Sequence, residues 1–162
     1  MDSLRIILGA RWEHYSEAER VDLAEEKNRI YQKHLTSLSP DDLSEDVRFT
    51  LNSLRQRGYL LAIGSSSKNA KLILDRLGLA DFFDAVADGT QITHSKPNPE
   101  VFLLAAEKLG ITPEKAIVVE DSASGIQAAA AGCFHAIGLR SDFNDPNSEI
   151  SIKRFCNLLE IL

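Results

Sequence analysis

From residue 47 onward the apolar positions switch repeatedly between two periods. Phe49, Leu51 and Leu54 recur at helical spacing up to Gly58, and 59–63 is a short apolar run. Residues 68–77 return to helical spacing and stop at Gly78. A strand at 84–87, a helix at 101–109, a strand at 116–119, a helix at 124–131 ended by Gly132 and a strand at 135–139 continue the series. Ser151-Ile152 reads as a last short strand and 155–162 as an amphipathic terminal helix. Short apolar runs alternating with helical ones predict an α/β fold: a parallel sheet with helices on both faces.

The first third of the chain is patterned differently. Residues 3–8 have the composition of a short helix, and Ser16-Glu17-Ala18-Glu19 is a capping box that opens a long one. Val21, Leu23 or Ala24, Asn28, Tyr31 and Leu35 recur along it, with Glu25, Glu26, Lys27 and Arg29 between them. Ser39-Pro40-Asp41-Asp42 predicts another helix start, with proline at the first helical position. The composition changes here, which predicts a helical domain at 1–42 and an α/β domain at 43–162.

Composition narrows the partners. The chain has 162 residues, enough for one ordinary domain with a small appendage, and 44% hydrophobic with 26% charged residues is ordinary for a globular protein. A net charge of -6 without a Lys/Arg cluster argues against nucleic acid and anionic membrane as partners. Two cysteines, Cys133 and Cys156, are too few for a disulfide framework, so a reduced, cytoplasmic location is the expectation. No apolar run approaches a membrane span, and no basic segment followed by an apolar one opens the chain. His14, His34, His94 and His135 are scattered, without metal-ligand spacing.

Three expected strand ends carry chemistry. Residues 116–119 run into Glu120-Asp121 and then Ser122-Ala123-Ser124-Gly125. Paired carboxylates beyond the carboxyl end of a parallel strand suit Mg²⁺ shared with a phosphate, although an acidic pair also caps a following helix. Ser65-Ser66-Ser67-Lys68-Asn69 offers hydroxyls and backbone N–H groups to an anion, or simply caps a helix with serine. In Ser95-Lys96-Pro97-Asn98-Pro99 a lysine can reach a phosphate as a point charge or face solvent in a turn. All three belong to the carboxyl edge of one sheet.

In that order and spacing the motifs resemble those of the haloacid dehalogenase superfamily, and within it the β-phosphoglucomutase group. The resemblance implies phosphate binding by Ser65, Ser66 and Lys96, and Mg²⁺ held by Asp121 with Glu120 assisting. Glu25-Glu26-Lys27-Asn28 followed by Tyr31 resembles the cap helix of these mutases, whose lysine touches the sugar phosphate. Lys27 otherwise reads as a solvated lysine making helix ion pairs. Ser67, Lys68 and Asn69 resemble the substrate-facing part of their serine-rich loop, and the likeness of residues 25–31 to the cap helix makes 1–42 a partial cap. The implied activity is reversible conversion of β-glucose 1-phosphate to glucose 6-phosphate through a sugar bisphosphate, by a monomer. A phosphatase of small phosphate monoesters and a non-catalytic phosphosugar- or protein-binding domain are the alternatives.

One motif is missing. The family opens with an apolar strand ending in DxDG, whose first Asp is the nucleophile and whose second is the acid/base. No such pattern occurs: Asp81 and Asp84 follow a helix, and Asp142 and Asp145 lie in a polar loop. Without that carboxylate no phosphoaspartate forms, so the chain alone is expected to be inactive. The resemblance places the missing strand at the sheet centre, between the strands ending at Ser65 and Glu120, so two unpaired edges and an apolar seam are expected, with poor folding or aggregation. Asp2-Ser3-Leu4 resembles the segment after the cap's phosphate-binding arginine, so the expectation is that Met1 is an internal methionine of a longer frame.

Overall fold

The computed structural model describes residues 2–139 and 146–162; Asp142 and Asp145 lie outside the described residues. The chain divides into two compact units, residues 1–38 and 39–162.

In the first unit α1 (Asp2–Leu8) leads through a 3-10 turn into α2 (Glu17–Leu35). The capping box forms: the Ser16 hydroxyl accepts from the Glu19 amide, and the Glu19 carboxylate accepts from the Ser16 amide at 2.8 Å. Arg20 stacks on Trp12 at 4.4 Å and donates to its carbonyl. These contacts fix the turn into α2 with little apolar burial.

The second unit opens with a single 3-10 turn at Pro40–Asp42. The expected helix start is realised only as this short turn: Leu43 is extended, and Ser44 caps the longer α3 (Glu45–Gln56) by accepting from Val47. Then come β1 (Ala62–Gly64), α4 (Ala70–Arg76), β2 (Ala85–Ala87) and α5 (Glu100–Leu109). β3 (Ile117–Glu120), α6 (Ala123–Ala131), β4 (His135–Leu139), β5 (Ile150–Ile152) and α7 (Leu158–Ile161) complete it. The first strand is shorter than the apolar run suggests, because Tyr59 and Leu60 are exposed ahead of it. The expected terminal helix breaks into a 3-10 turn at Phe155–Asn157 and the short α7. The expected helix at 68–77 begins only at Ala70, leaving Lys68 and Asn69 in the loop before it.

All strand pairs are parallel, but they form two sheets, β1-β2 and β3-β4-β5. Alternate residues face opposite layers, as the pleat demands. Val118 and Ala136 join a core with Val101, Phe102, Ala105, Ala106, Ile126 and Ala129 of α5 and α6. Their neighbours Val119 and Ile137 turn the other way, toward Leu54 of α3 and Leu158 of α7. Helices therefore cover both faces. Among the described residues β1 pairs only with β2, and β3 only with β4. A mostly apolar cleft of about 660 Å³, lined by every residue of β1 and β3 together with Leu51, Leu54, Phe102 and Phe134, lies along their open edges. The expected seam is present. No helix is long and apolar enough to cross a membrane among the described residues.

Candidate functional site

The loops after β1, β2 and β3 meet at the carboxyl ends of the strands. Beyond β1 the chain continues the ladder with β2, since Ser65 donates to the Ala87 carbonyl at 3.0 Å and Gly89 to the Ser67 carbonyl at 3.1 Å. The Ser65 hydroxyl accepts from the Ser67 amide and the Ser67 hydroxyl from the Asn69 amide, both at 3.1 Å, so the serine loop folds on itself before α4. Gly89 is required for this approach, because a Cβ there would collide with the Ser66 carbonyl. Ser65, Ser66 and Ser67 are partly buried, Lys68 is exposed, and Asn69 is buried at the α4 cap position.

The lysine loop is framed from α5. The Glu100 carboxylate accepts from the Thr93 and His94 amides at 2.8 and 2.7 Å, and Asn98 accepts from the Glu100 amide at 3.0 Å. Those backbone donors, foremost Thr93, hold the Glu100 carboxyl below its ordinary range. Asp88, buried at the end of β2, is opposed by burial but receives the Thr90 hydroxyl and amide, with Lys71 and Lys108 adding positive charge, and lies below its ordinary range too. Between these two anchors Lys96 is turned inward. Its amide donates to the Ser66 hydroxyl at 3.3 Å. Its ammonium lies 4.4 Å from the Phe102 ring centroid and pairs with the Glu120 carboxylate, with both side chains less than 15% exposed.

Glu120 ends β3. Besides Lys96 it accepts from the Ser122 hydroxyl at 2.9 Å, while Ser122 caps α6 by accepting from Gly125 at 3.1 Å. A direct chain of contacts, Ser66–Lys96–Glu120, thus links all three strand ends. Asp121 is exposed and has no protein partner among the described residues. Hard oxygen donors suit Mg²⁺, which commonly takes one or two carboxylates and completes its shell with water and phosphate. Asp121 fits that role, whereas the expected help from Glu120 meets competition from Lys96. No three described His, Cys, Asp or Glu residues gather as a ready metal cluster.

Lys27 lies on α2 in the first unit, partly buried, beside the Glu26–Arg29 ion pair at 2.6 Å. Sequence reasoning overlooked Glu100, Phe102 and Gly125 as supports of the site. Pro99-Glu100 at a helix start is the signal that pointed to Glu100.

A parallel α/β core whose strand ends bring serine hydroxyls, one lysine and two carboxylates together belongs to the class that binds ligands beyond the carboxyl edge of the sheet. The model of the haloacid dehalogenase-like hydrolases matches residues 3–132, and the chain belongs to that family. It is 35% identical over 134 residues to a β-phosphoglucomutase of Bacillus subtilis, covering 83% of this chain and 59% of that protein. It is also 35% identical over 124 residues to a phosphorylated carbohydrates phosphatase of Thermotoga maritima, covering 75% of this chain and 55% of that one. The crystal structure of a β-phosphoglucomutase from Clostridium difficile superposes with a TM-score of 0.88 at 30% identity, covering 97% of this chain and 71% of that one. The chain spans less than two thirds of the length of both curated relatives.

Proposed function

We propose that the complete protein interconverts β-glucose 1-phosphate and glucose 6-phosphate through a sugar bisphosphate. The observation that carries this reading is the Ser66–Lys96–Glu120 contact chain at the strand ends, beside the Asp121 carboxylate, which has no partner among the described residues. In this reading Ser65, Ser66 and Lys96 hold the transferring phosphoryl group, whose needs are positioning and charge neutralisation. Asp121 holds Mg²⁺, which when bound neutralises phosphoryl charge. Ser67, Lys68 and Asn69 face the substrate, and Lys27, from the cap, grips the distal phosphate. The 162 residues contain no DxDG strand end, so the nucleophile comes from a strand outside them and this chain alone is inactive. Similarity to a β-phosphoglucomutase in both sequence and structure supports the mutase reading.

A phosphatase is the second reading, favoured by equal identity to the Thermotoga maritima phosphatase. The in-frame sequence upstream of Met1 should encode an apolar strand ending in DxDG; its absence ends the catalytic reading. With that strand present, β-glucose 1-phosphate plus catalytic bisphosphate should yield glucose 6-phosphate, while free phosphate without isomerisation assigns the phosphatase. Asp121→Ala should abolish Mg²⁺-dependent turnover, and full activity in that variant would overturn the metal assignment. Lys27→Ala should raise KM and leave Mg²⁺ binding intact.

A further inference from the structure

Gly125 stands in the first turn of α6, with backbone dihedrals that do not demand glycine. Helix propensity alone favours alanine there. The reason for glycine lies in space: the three atoms nearest a Cβ built on Gly125 are the carboxyl carbon and both oxygens of Glu120, all closer than 3.0 Å. The carboxylate of Glu120 occupies the volume that any other residue would fill. From there it receives the Lys96 ammonium and the Ser122 hydroxyl.

We infer that Gly125 is a positioning residue: by leaving a slot for the Glu120 carboxylate it fixes the counter-ion that holds Lys96 at the strand ends. A glutamate side chain is flexible, so alanine at 125 forces its carboxyl group to swing aside more easily than it forces the backbone to move. The fold then survives, and Lys96 loses its partner. The bearing on phosphoryl transfer rests on the function proposed above, but the coupling between Gly125 and Lys96 can be read without turnover, so either can fail alone.

The test is competitive acylation of lysines on the whole chain at low micromolar concentration, read by mass spectrometry. In the native chain Lys96, paired and largely buried, should label far more slowly than the exposed Lys68. In Gly125→Ala the Lys96 rate should rise toward that of Lys68. Lys108, whose ammonium donates to the Val86 carbonyl at 2.7 Å and to Gln91, should keep its native rate. A general loosening of the fold would raise Lys96 and Lys108 together and overturn the proposal, as would a Lys96 rate equal to the native one. Glu120→Ala should expose Lys96 by itself, and adding Gly125→Ala to it should change the Lys96 rate no further. With the carboxylate gone the clash is gone, so in that background alanine at 125 should raise the unfolding midpoint, whereas in the native background it should lower it. If Gly125→Ala fails to fold, the double variant decides: recovery supports the slot, and failure of both overturns it.

Discussion

β3 and β4 are neighbours in one sheet, joined in a four-residue parallel register from Ile117↔His135 to Glu120↔Gly138, and both are mostly apolar. Their surroundings differ. β4 has β3 on one side and β5 on the other, and its Ala136 and Ile137 are at most 4% exposed. Among the described residues β3 has a partner on one side only, and Ile117 at its start is 40% exposed beside the cleft. A continuous apolar run is the composition of a parallel strand covered on both faces and paired on both edges. β4 occupies such a place; β3, like β1 across the cleft, carries the same kind of sequence with one edge bare. An edge strand of this type offers a row of unpaired amides and carbonyls to other chains.

The largest expected effect follows from that edge. The chain alone should associate with rising concentration and bind an apolar dye such as ANS, measured by light scattering and fluorescence. A peptide of one apolar strand ending in Asp-x-Asp-Gly should suppress both by pairing with β1 and β3. A monomer that unfolds in two states without binding the dye would break the contrast between the two strands.

The next test applies one kind of truncation to both strands. Ile137→Ala, in the core between α3 and α7, should cost about 3 kcal/mol, the usual loss for a buried isoleucine. Ile117→Ala, half in solvent, should cost under about 1 kcal/mol by the same reasoning. Denaturant melts at matched concentration measure the difference, and equal losses would mean that the bare edge is covered in solution.

Much of this was legible in the sequence. The alternation of β-branched runs with Gly-terminated helices gave the parallel α/β fold, because period 2 against period 3.6 is a local signal and each helix stop is a single residue such as Gly78 or Gly132. Ser66, Lys96 and Glu120 were named from their loops, and they touch. Three things were not legible. Pro40 opens only a 3-10 turn, since Leu43 is extended and a second cap, Ser44, starts α3, and local pattern cannot rank two caps so close together. Glu120 reads as half of a metal pair, and only tertiary contact shows that Lys96 takes its charge. The slot at Gly125 depends on where a side chain from the preceding strand comes to rest, which no spacing rule encodes.

A smaller effect should come from the frame of the Lys96 loop. In Glu100→Gln the amides of Thr93 and His94 lose a charged acceptor, and their hydrogen exchange should quicken while amides of β4 keep their protection. Unchanged exchange at both amides would show that the loop is held by Asn98 and Asp88 without Glu100.

The smallest effect lies on the covered strand, at the margin where β4 receives its outer partner. The His135 ring meets the Glu149 carboxylate at 2.7 Å, and the Glu149 amide donates to the Ala136 carbonyl at 2.9 Å, so the pair helps to seat the segment entering β5. The hydrogen bond with Glu149, and then its charge, raise the His135 pKa above the ordinary value of 6.5. A group whose folded pKa is raised binds its proton more tightly in the native state, so its contribution is complete below the unfolded pKa and fades as pH climbs through the folded one. The unfolding midpoint should therefore slip downward as pH rises from below 6.5 through the raised value, and His135→Gln should flatten that slope. The pair is exposed, so salt should weaken the effect. The bare edge of β3 has no titrating group in this pair, and dye binding at the seam should stay constant over the same range. Dye binding that follows the His135 titration would mean that loosening β5 opens the seam, and that β3 and β4 respond as one unit.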